Sequence, residues 1–430
     1  MKKVLIISPY FPPSNAADMQ RVRMSLPFYK NFGWEAEVVC VEKKHTDAVF
    51  DDLLIESVPN DVKIHYIKAL PKNWTKLFGL GSIALRSLQY YKAYVNKLLA
   101  TDKFDLIYFS TTQFPICILG SYWKNRFNIP YVIDMQDPWF TDYYKNKPRF
   151  MRPKKYWFSY NLDKYLEPIA MKGVGGLIAV SNSYIDDLKV RYPHLQNIPS
   201  ATITFGAFKE DLQIAANHKQ QFLPSFNNDS RYKHIVYVGR GGYDMQKAVS
   251  LLFKAFKRGL AQDPEIFKRL RFHFIGTSYA PLGQGDKTLY GVAKKLGVGH
   301  YVMEQTDRIS FYESIYNLQI ADALFIPGHE QPAYTASKIY PYILTGKPIL
   351  AVFNSDCSAA KSLIDCKAGE VADILDFQSS MKTILSFLRG VAEDNAPEVK
   401  TDWKEFEQYR ARAMTKKQCD LFDQCLTISH

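Results

Sequence analysis

Two cations follow a glycine-rich turn in the second half of the chain. Arg240 lies within the turn 239–242, GRGG, directly after the apolar run HIVYV, and Lys247 stands seven residues further on. Glycines let a backbone approach a pyrophosphate, while an arginine and a lysine can neutralise charge on a leaving group. We therefore expect Gly239 and Gly241 to contact phosphate and Arg240 and Lys247 to be catalytic. A plain strand-to-helix turn with exposed cations is the competing interpretation.

A second candidate phosphate site lies in residues 334–348, YTASKIYPYILTGKP. The segment joins two apolar runs that have the character of buried strands. Thr335 or Ser337 fits the N-cap of a helix that ends near Gly346, and the backbone amides at the start of a helix bind anions. We expect the backbone around Thr335, Ser337 and Lys338 to hold a diphosphate at the carboxyl edge of a parallel sheet.

This segment resembles the donor-binding helix of the retaining two-domain glycosyltransferases with the GT-B fold, and of family 4 in particular. The family pattern is roughly Ser/Pro-Lys-x-x-Glu-Tyr-x-x-x-Gly-x-Pro. It is matched here by Ser337, Lys338, Tyr342, Gly346 and Pro348. The resemblance implies a nucleotide-sugar donor and a transfer reaction that uses no protein nucleophile.

One position departs from the family pattern. Pro341 stands where the family usually has a glutamate that binds the ribose hydroxyls of the nucleotide. In the nearby loop GHEQPAY, we expect Glu330 to supply a carboxylate from another direction and His329 to approach the donor sugar. A structural role is the alternative for His329.

The loop SPYFPPSNAADMQR near the N-terminus also fits the resemblance. The family commonly has two prolines, then a Gly-Gly pair that contacts donor phosphate, and then an arginine. Pro12, Pro13 and Arg21 match that layout, whereas Ala16 and Ala17 replace the glycines. Alanine still presents its backbone amide, so Ala16 and Ala17 are expected to bind the donor. Arg21 is expected to bind it because it matches the arginine of the family layout. An ordinary strand-to-helix loop is the alternative.

The run DMQDPW, residues 134–139, marks the acceptor side. Many family members have Asp-x-Arg-Asp-Pro-Trp at this point, and Gln136 replaces the arginine. Asp137 is the candidate for orienting or deprotonating an acceptor hydroxyl, and Trp139 for stacking on a sugar. An Asx turn or N-cap before Pro138 explains Asp137 equally well.

Two further loops are expected beside the nucleotide base. The resemblance places base contacts in residues 276–279 and 305–308, and so names Gly276, Thr277 and Arg308 as donor-binding. No metal or cofactor is expected besides the nucleotide sugar, because cations and helix ends can neutralise a diphosphate.

The elements that must position these residues alternate between strand and helix. With 430 residues, 47% of them hydrophobic, the chain has material for two cores. Short apolar runs separated by helical stretches predict α/β domains with doubly wound parallel sheets. These runs are 4–7, 37–41, 105–109, 131–133, 177–180, 235–238, 272–275, 322–326 and 349–353.

The series of apolar runs is interrupted once, by a polar stretch between the two halves of the chain. We expect two Rossmann-like domains that face each other across a cleft, as the GT-B resemblance implies. The predicted divisions are an acceptor domain over 1–205, a linker over 206–233, a donor domain over 234–402, and a terminal helix over 403–430 that returns to the first domain.

The net charge of +12 predicts an anionic partner. Nucleic acid is disfavoured because no recognised motif accompanies the charge. The apolar run after Lys2 and Lys3 is too short for a signal or a membrane span, so a cytoplasmic location is expected, with contact at the inner face of the plasma membrane.

Two stretches, 74–99 and 143–158, combine aromatic residues with cations. Basic helices with aromatic side chains can lie on an anionic bilayer, which would suit a lipid-linked acceptor. The alternative is that both stretches pack against the first sheet and keep only their cations in water.

The resulting prediction is a metal-independent glycosyltransferase, hexosyltransferase-like, that moves a sugar from a nucleotide sugar to a glycan or lipid-linked acceptor in polysaccharide biosynthesis. Two alternatives stay open. One is a nucleotide-sugar epimerase on the same fold, and the other is a non-catalytic scaffold that keeps the fold, for which Pro341 is the best argument.

Overall fold

The computed structural model describes residues 1–75, 81–145, 147–153, 155–332, 338–396 and 398–428. The chain divides into two compact units. The first comprises Met1–Gly206 with Ala411–His430, and the second comprises Ala207–Arg410.

Strands and helices alternate along both units. The strands are β1 (Lys2–Ile7), β2 (Trp34–Val41), β3 (Lys63–Ile67), β4 (Leu106–Ser110), β5 (Tyr131–Met135), β6 (Gly176–Ala179), β7 (Ser200–Thr202), β8 (Lys233–Val238), β9 (Leu270–Ile275), β10 (Val302–Gln305), β11 (Ala323–Pro327), β12 (Ile349–Phe353) and β13 (Glu370–Asp373).

The α-helices range from one turn to five turns in length. They are α1 (Gln20–Ser25), α2 (Lys72–Thr75), α3 (Ile83–Thr101), α4 (Ile118–Phe127), α5 (Tyr156–Met171), α6 (Asn182–Arg191), α7 (Lys209–Asn217), α8 (Gln246–Gln262), α9 (Pro264–Phe267), α10 (Thr288–Leu296), α11 (Phe311–Ile320), α12 (Ile339–Leu344), α13 (Ser358–Asp365), α14 (Phe377–Ala392), α15 (Trp403–Phe406) and α16 (Ala411–Ile428).

The described residues of the first unit form a seven-stranded parallel sheet in the order β3-β2-β1-β4-β5-β6-β7. The central strands β1, β4 and β5 are almost wholly buried, as expected for parallel strands covered by helices on both faces. The strand order reverses between β1 and β4, where Val4 pairs with Leu106. Loops that leave such a reversal at the carboxyl edge form the usual ligand crevice.

The described part of the second unit repeats this plan with six parallel strands, ordered β10-β9-β8-β11-β12-β13. Its reversal lies between β8 and β11, where Ile235 pairs with Ala323. The prediction of two doubly wound parallel sheets is therefore confirmed.

Four strands at the sheet edges, β3, β7, β10 and β13, are not among the nine predicted runs. Each has a neighbouring strand on one side only, and their residues alternate between buried and exposed positions or are half-buried. Such short, partly polar segments lack the continuous apolar run from which the central strands were predicted.

The stretch expected as a linker, 206–233, contains a helix that belongs to the second unit. α7 buries Ile214 and Ala215, and its Asp211 accepts a hydrogen bond from the Tyr312 hydroxyl of α11 at 3.0 Å. Further along, Phe226 stacks on His273 of β9. The stretch 206–233 is thus packed on the second unit, and its polar residues lie on the outer side.

The expected terminal helix over 403–430 is divided between the units. α15 belongs to the second unit and α16 to the first. In α16, Phe422 packs edge-on against Trp34 and Tyr108, and Gln418 accepts a hydrogen bond from the Tyr29 hydroxyl at 2.8 Å. None of the helices in the described part of the chain is both long and apolar enough to cross a membrane.

Candidate functional site

In the second unit, the predicted donor residues gather at the carboxyl edge of the sheet. The loop after β8 carries Arg240, and the loop after β11 carries His329 and Glu330. Because β8 and β11 are neighbours at the reversal of strand order, their loops flank the same crevice.

Arg240 is held in a two-pronged ion pair with Asp244. Its terminal nitrogens donate to the two Asp244 carboxylate oxygens at 3.0 and 2.5 Å, and its side chain stays 38% exposed. Burial acts to raise the pKa of Asp244, but the hydrogen bonds and charge of Arg240 outweigh it and hold that pKa below its ordinary value. Both terminal nitrogens of Arg240 therefore bind a carboxylate of the chain itself, in the bidentate geometry that arginine also forms with phosphate.

Lys247 pairs with Glu330, the carboxylate proposed for the ribose. The Lys247 ammonium lies 2.5 Å from Glu330 Oε1. The side-chain amide of Asn354 donates to the Glu330 carbonyl at 2.7 Å, and its backbone amide donates to the His329 carbonyl at 3.3 Å. His329 Nδ1 accepts from the backbone amide of Gln331. The structure thus brings Lys247, His329 and Glu330 together.

Lys338 reaches the same turn through Tyr237. Its ammonium donates to the Tyr237 hydroxyl at 2.8 Å, and that hydroxyl donates to the Arg240 carbonyl at 2.8 Å. Gly239 has φ +152°, and a Cβ there would lie 2.8 Å from Lys338 Nζ. Only glycine fits this close approach without displacing the lysine.

The glycine amides do not face a ligand as expected. The Gly239 amide donates to the Ile275 carbonyl at 3.0 Å, and the Gly241 amide donates to the Thr277 carbonyl at 2.8 Å. These bonds continue the pairing of β8 with β9 beyond the strands. Both amides are therefore engaged in strand pairing, and the expected phosphate contacts of Gly239 and Gly241 stay predictions.

The two loops predicted beside the base do adjoin each other. The Gly276 amide, at φ +71°, donates to the Gln305 carbonyl at 2.9 Å. On the surface of these loops, the exposed Arg308 guanidinium lies 4.8 Å from the centre of the Tyr279 ring. An arginine over an exposed aromatic ring is a suitable border for a nucleotide base.

Thr277, in contrast, points into the core. It is buried, and its hydroxyl donates to Glu304 Oε1 at 2.7 Å. Glu304 Oε2 accepts from the Leu289 and Tyr290 amides at the start of α10, and burial raises the pKa of this carboxyl. The Thr277 hydroxyl thus belongs to this buried helix cap, and the expected donor contact of Thr277 stays a prediction.

The predicted phosphate-binding helix begins later than expected. Thr335 and Ser337 lie outside the described residues. Lys338 is the N-cap of α12, and the chain turns at Gly346, with φ +67°, just beyond the helix end. Pro341 occupies the first turn of α12, where its missing N–H leaves no intrahelical bond unmade.

In the first unit, the alanine pair lies on the loop that follows β1. Ala16 precedes a 3-10 turn over Ala17–Met19, and Ala17 is exposed. The loop is anchored by the Asn15 amide, which donates to the Val49 carbonyl at 2.7 Å. This geometry leaves the predicted phosphate contact of the two alanines as a proposal.

Arg21 is buried among hydrogen-bond acceptors of the first unit. It is 2% exposed, and its Nε donates to Asp134 Oδ2 at 2.6 Å. Its other nitrogens donate to the carbonyls of Ile203 and Thr204. These buried acceptors take the guanidinium N–H groups, and the expected contact of Arg21 with the nucleotide sugar stays a prediction.

Asp137 and Trp139, the predicted acceptor residues, differ in exposure. Asp137 lies at the surface, and partial burial together with the charge of Asp18 raises its pKa. Trp139 is 6% exposed, stacks on Phe114 and donates to Asp163 Oδ1 at 2.9 Å. The ring is largely covered by these neighbours, and the expected stacking of Trp139 on a sugar stays a prediction.

Trp139 separates two cavities of the first unit. A cavity of about 530 Å³ lies between the loop after β5 and α6, and one of about 440 Å³ lies between α3 and α5. Both include Trp139 in their lining. In the described part of the chain, no group of three His, Cys, Asp or Glu side chains is placed to hold a metal.

Comparison with known proteins gives matches to solved structures. No family model and no curated protein matches the chain. HepE from Anabaena, solved with UDP and glucose, is 14% identical over 98% of this chain and 99% of its own, with a TM-score of 0.57. Sucrose-phosphate synthase from Thermosynechococcus elongatus is 14% identical over all of both chains, with a TM-score of 0.60. A glycosyltransferase from Rickettsia africae is 11% identical over 99% of this chain and 98% of its own, with a TM-score of 0.54.

The chain has the GT-B fold. Within this GT-B chain, sequence reasoning missed Asp18, Asp244 and Tyr237. Asp18 is buried and accepts from the Thr111 hydroxyl at 2.8 Å. For Asp244, the nearness in sequence to Arg240 was a usable sign, because the short glycine turn between them lets the two side chains meet. Nothing in the sequence marks Tyr237 apart from its place at the end of a predicted strand.

Proposed function

We propose that this chain is a glycosyltransferase that moves a hexose from a nucleoside-diphosphate donor to a glycan or lipid-linked acceptor. The observation that carries the proposal is the convergence of Arg240, Lys247 and Lys338 on the loops of one strand-order reversal. Three cations at the carboxyl edge of a doubly wound sheet suit a diphosphate.

In the proposed reaction, the bond between the anomeric carbon and the β-phosphate oxygen breaks, and the diphosphate leaves with the electron pair. Arg240 and Lys247 neutralise the negative charge that accumulates there, which lowers the barrier without a metal. The acceptor oxygen bonds to the anomeric carbon, with retention as the family 4 resemblance implies, and its hydroxyl proton passes to the departing diphosphate oxygen. Asp137, with its raised pKa, orients the acceptor hydroxyl.

UDP is the first nucleotide to test, because HepE, which shares the fold, was solved with it. His329 and Glu330 are proposed at the sugar and ribose, and Arg308 with Tyr279 beside the base. The amides near Ala16, Thr335 and Ser337 complete the proposed donor contacts. Polysaccharide biosynthesis at the cytoplasmic face of a membrane is the proposed setting, with no nucleic-acid partner.

A non-catalytic scaffold is the second candidate function. Pro341 in place of the ribose glutamate favours it, as does the pairing of both catalytic cations with carboxylates of the chain itself. The scaffold predicts that no nucleoside diphosphate binds.

Thermal-shift binding of UDP, GDP and ADP separates the two. The measurement compares the natural chain with Arg240→Ala and with Arg258→Ala, which removes an exposed arginine of α8 as a matched control. Transfer predicts that one nucleotide raises the melting temperature of the natural chain and of Arg258→Ala but not of Arg240→Ala. If none of the three stabilises the natural chain, the proposal is overturned. Should Arg240→Ala melt early without ligand, Arg240→Lys replaces it.

A further inference from the structure

One face of α5 exposes large apolar side chains. Trp157, Tyr165 and Ile169 are 76%, 70% and 36% exposed. Their spacing in multiples of four places them on one side of the helix, while Leu166 and Ala170 face the core. Apolar residues gathered in this way mark an interaction surface, whereas single exposed ones need no explanation.

The loop that leads into α5 extends this face. Tyr143 and Met151 are 62% and 57% exposed. Ring contacts tie the loop to the helix, with Tyr144 against Tyr156 at 6.1 Å and Tyr156 against Tyr160 at 5.5 Å. We call the whole area the α5 surface, and its exposed apolar members are Tyr143, Met151, Trp157, Phe158, Tyr165 and Ile169.

The charge of the α5 surface is positive. Its exposed cations are Lys145, Arg149, Lys155, Lys164 and Lys172. One exposed acid, Asp142, lies among them, 3.8 Å from Lys145.

Both acids of α5 turn inward. Asp163 accepts from the Trp139 indole. Glu167 is 1% exposed, accepts from the Phe140 amide at 2.9 Å, and forms an ion pair with Arg191. Cations on the outside and acids on the inside of one helix give a face that an anionic partner would complement.

The other stretch expected at a membrane, 74–99, does not offer such a face. α3 buries Tyr91 and Val95 in the first core. Its Arg86 is 2% exposed and donates to the Leu70 and His45 carbonyls. The core-facing side chains of α3 therefore fit the packing alternative, although Trp74 of α2 is 77% exposed. The α5 surface differs because several exposed aromatic residues lie together on it.

We infer that the α5 surface docks the protein on an anionic lipid bilayer, with Trp157 and Tyr165 in the interfacial layer and Lys155, Lys164 and Lys172 at the headgroups. Indole and phenol rings favour that layer because one end is apolar and the other is polar. Lysines can bury their alkyl stems and keep their ammonium groups at phosphate level. This docking does not depend on the transfer reaction, although it would bring the proposed enzyme to a lipid-linked acceptor.

Vesicle co-sedimentation without nucleotide tests the surface. We expect the chain to bind phosphatidylglycerol vesicles at low salt, to bind phosphatidylcholine vesicles much more weakly, and to release the anionic vesicles as salt rises. Trp157→Ala should weaken binding about tenfold through lost apolar burial. Lys164→Glu should weaken it by more than about fivefold, the equivalent of ~1 kcal/mol for each cation near an anionic surface.

Matched controls come from the second unit. Leu223→Ala removes an 84% exposed apolar residue, and Lys257→Glu reverses an exposed cation of α8. Both should bind vesicles as the natural chain does. The inference is overturned if the natural chain ignores phosphatidylglycerol vesicles at low salt, as it would if a protein covered this face. Equal losses in the control variants would overturn it as well.

The two proposals fail separately. If the natural chain does not bind vesicles but a nucleotide still raises its melting temperature, the docking inference is wrong and the transferase proposal stands. If the natural chain binds vesicles but no nucleotide raises its melting temperature, the transferase proposal is wrong and the docking inference stands.

Discussion

Arg21 and Asp134 form a buried ion pair in the first unit, with Arg21 Nε 2.6 Å from Asp134 Oδ2 and both side chains at most 2% exposed. Asp134 Oδ2 also accepts from the Ser110 hydroxyl at 2.9 Å and from the Gln136 amide at 3.0 Å. Arg21 therefore supplies the positive charge that this carboxylate needs, and Gln136, which replaces the usual arginine, supplies a neutral hydrogen bond.

Breaking this pair should destabilise the first unit. Arg21→Met leaves Asp134 as an uncompensated buried charge, which costs about 3–5 kcal/mol. The double variant Arg21→Met, Asp134→Asn should lose less than the sum of the two single variants, by about 2 kcal/mol, because the remaining amide carries no charge. Urea unfolding of the four proteins measures this coupling, and additive losses would contradict it.

Arg21→Met also tests the phosphate contact that the family resemblance predicts for Arg21. We expect UDP to raise the melting temperature of Arg21→Met by as much as that of the natural chain, because the Arg21 guanidinium donates to buried acceptors. A selective loss of the UDP shift would show that Arg21 binds the donor after all.

Asp244 should weaken donor binding through its charge. In Asp244→Asn, one negative charge beside the diphosphate disappears while a hydrogen-bonding partner for Arg240 remains. We expect UDP to bind about fivefold more tightly, which corresponds to ~1 kcal/mol for two charges in a solvent-like environment. Titration calorimetry measures the affinity, with Glu265→Gln as an exposed control in the same unit. Weaker binding would mean instead that Asp244 chiefly positions Arg240.

Tyr342 should hold the end of β8 in place. Its hydroxyl accepts from the Val238 amide at 2.8 Å and donates to the Val238 carbonyl at 2.9 Å. Tyr342→Phe leaves both backbone groups without these bonds, at a cost of about 1–3 kcal/mol. Hydrogen exchange of the Val238 amide should accelerate in this variant and stay unchanged in Tyr243→Phe, which alters an exposed ring.

The central strands, and the loops that leave them at the carboxyl edge, were predictable because both follow from short-range patterns. Arg240 and Glu330 stand two and three residues beyond the ends of β8 and β11, so their placement follows from strand prediction, whereas Lys247 lies in the first turn of the following helix α8. The partners of Arg21 and Thr277 were not predictable in this way. Asp134 is 113 residues from Arg21, and Glu304 is 27 residues from Thr277. Whether a polar side chain turns inward depends on such distant partners, which sequence spacing does not reveal.

Asp163 should make the stability of the first unit depend on pH. Burial raises its pKa from 3.8 to about 6, against the lowering effect of the hydrogen bond from Trp139. Between these two values the unfolded carboxyl is ionised while the folded one still holds its proton. Stability therefore falls as pH rises through this window and levels off above about 6.

Asp163→Asn removes the pH-dependent loss of stability and keeps a side-chain oxygen that can accept the hydrogen bond from the Trp139 indole. We expect the variant to match the natural chain near pH 4 and to be more stable at pH 8 by ~1 kcal/mol, a figure reduced for the partial exposure of the carboxyl. Trp139→Phe should raise the pKa of Asp163 further and extend the pH range over which stability falls, because it removes the hydrogen bond that favours the ionised Asp163 carboxyl. Urea unfolding across this pH range measures both effects, and a pH-independent difference between Asp163→Asn and the natural chain would show that the carboxyl does not titrate in this window.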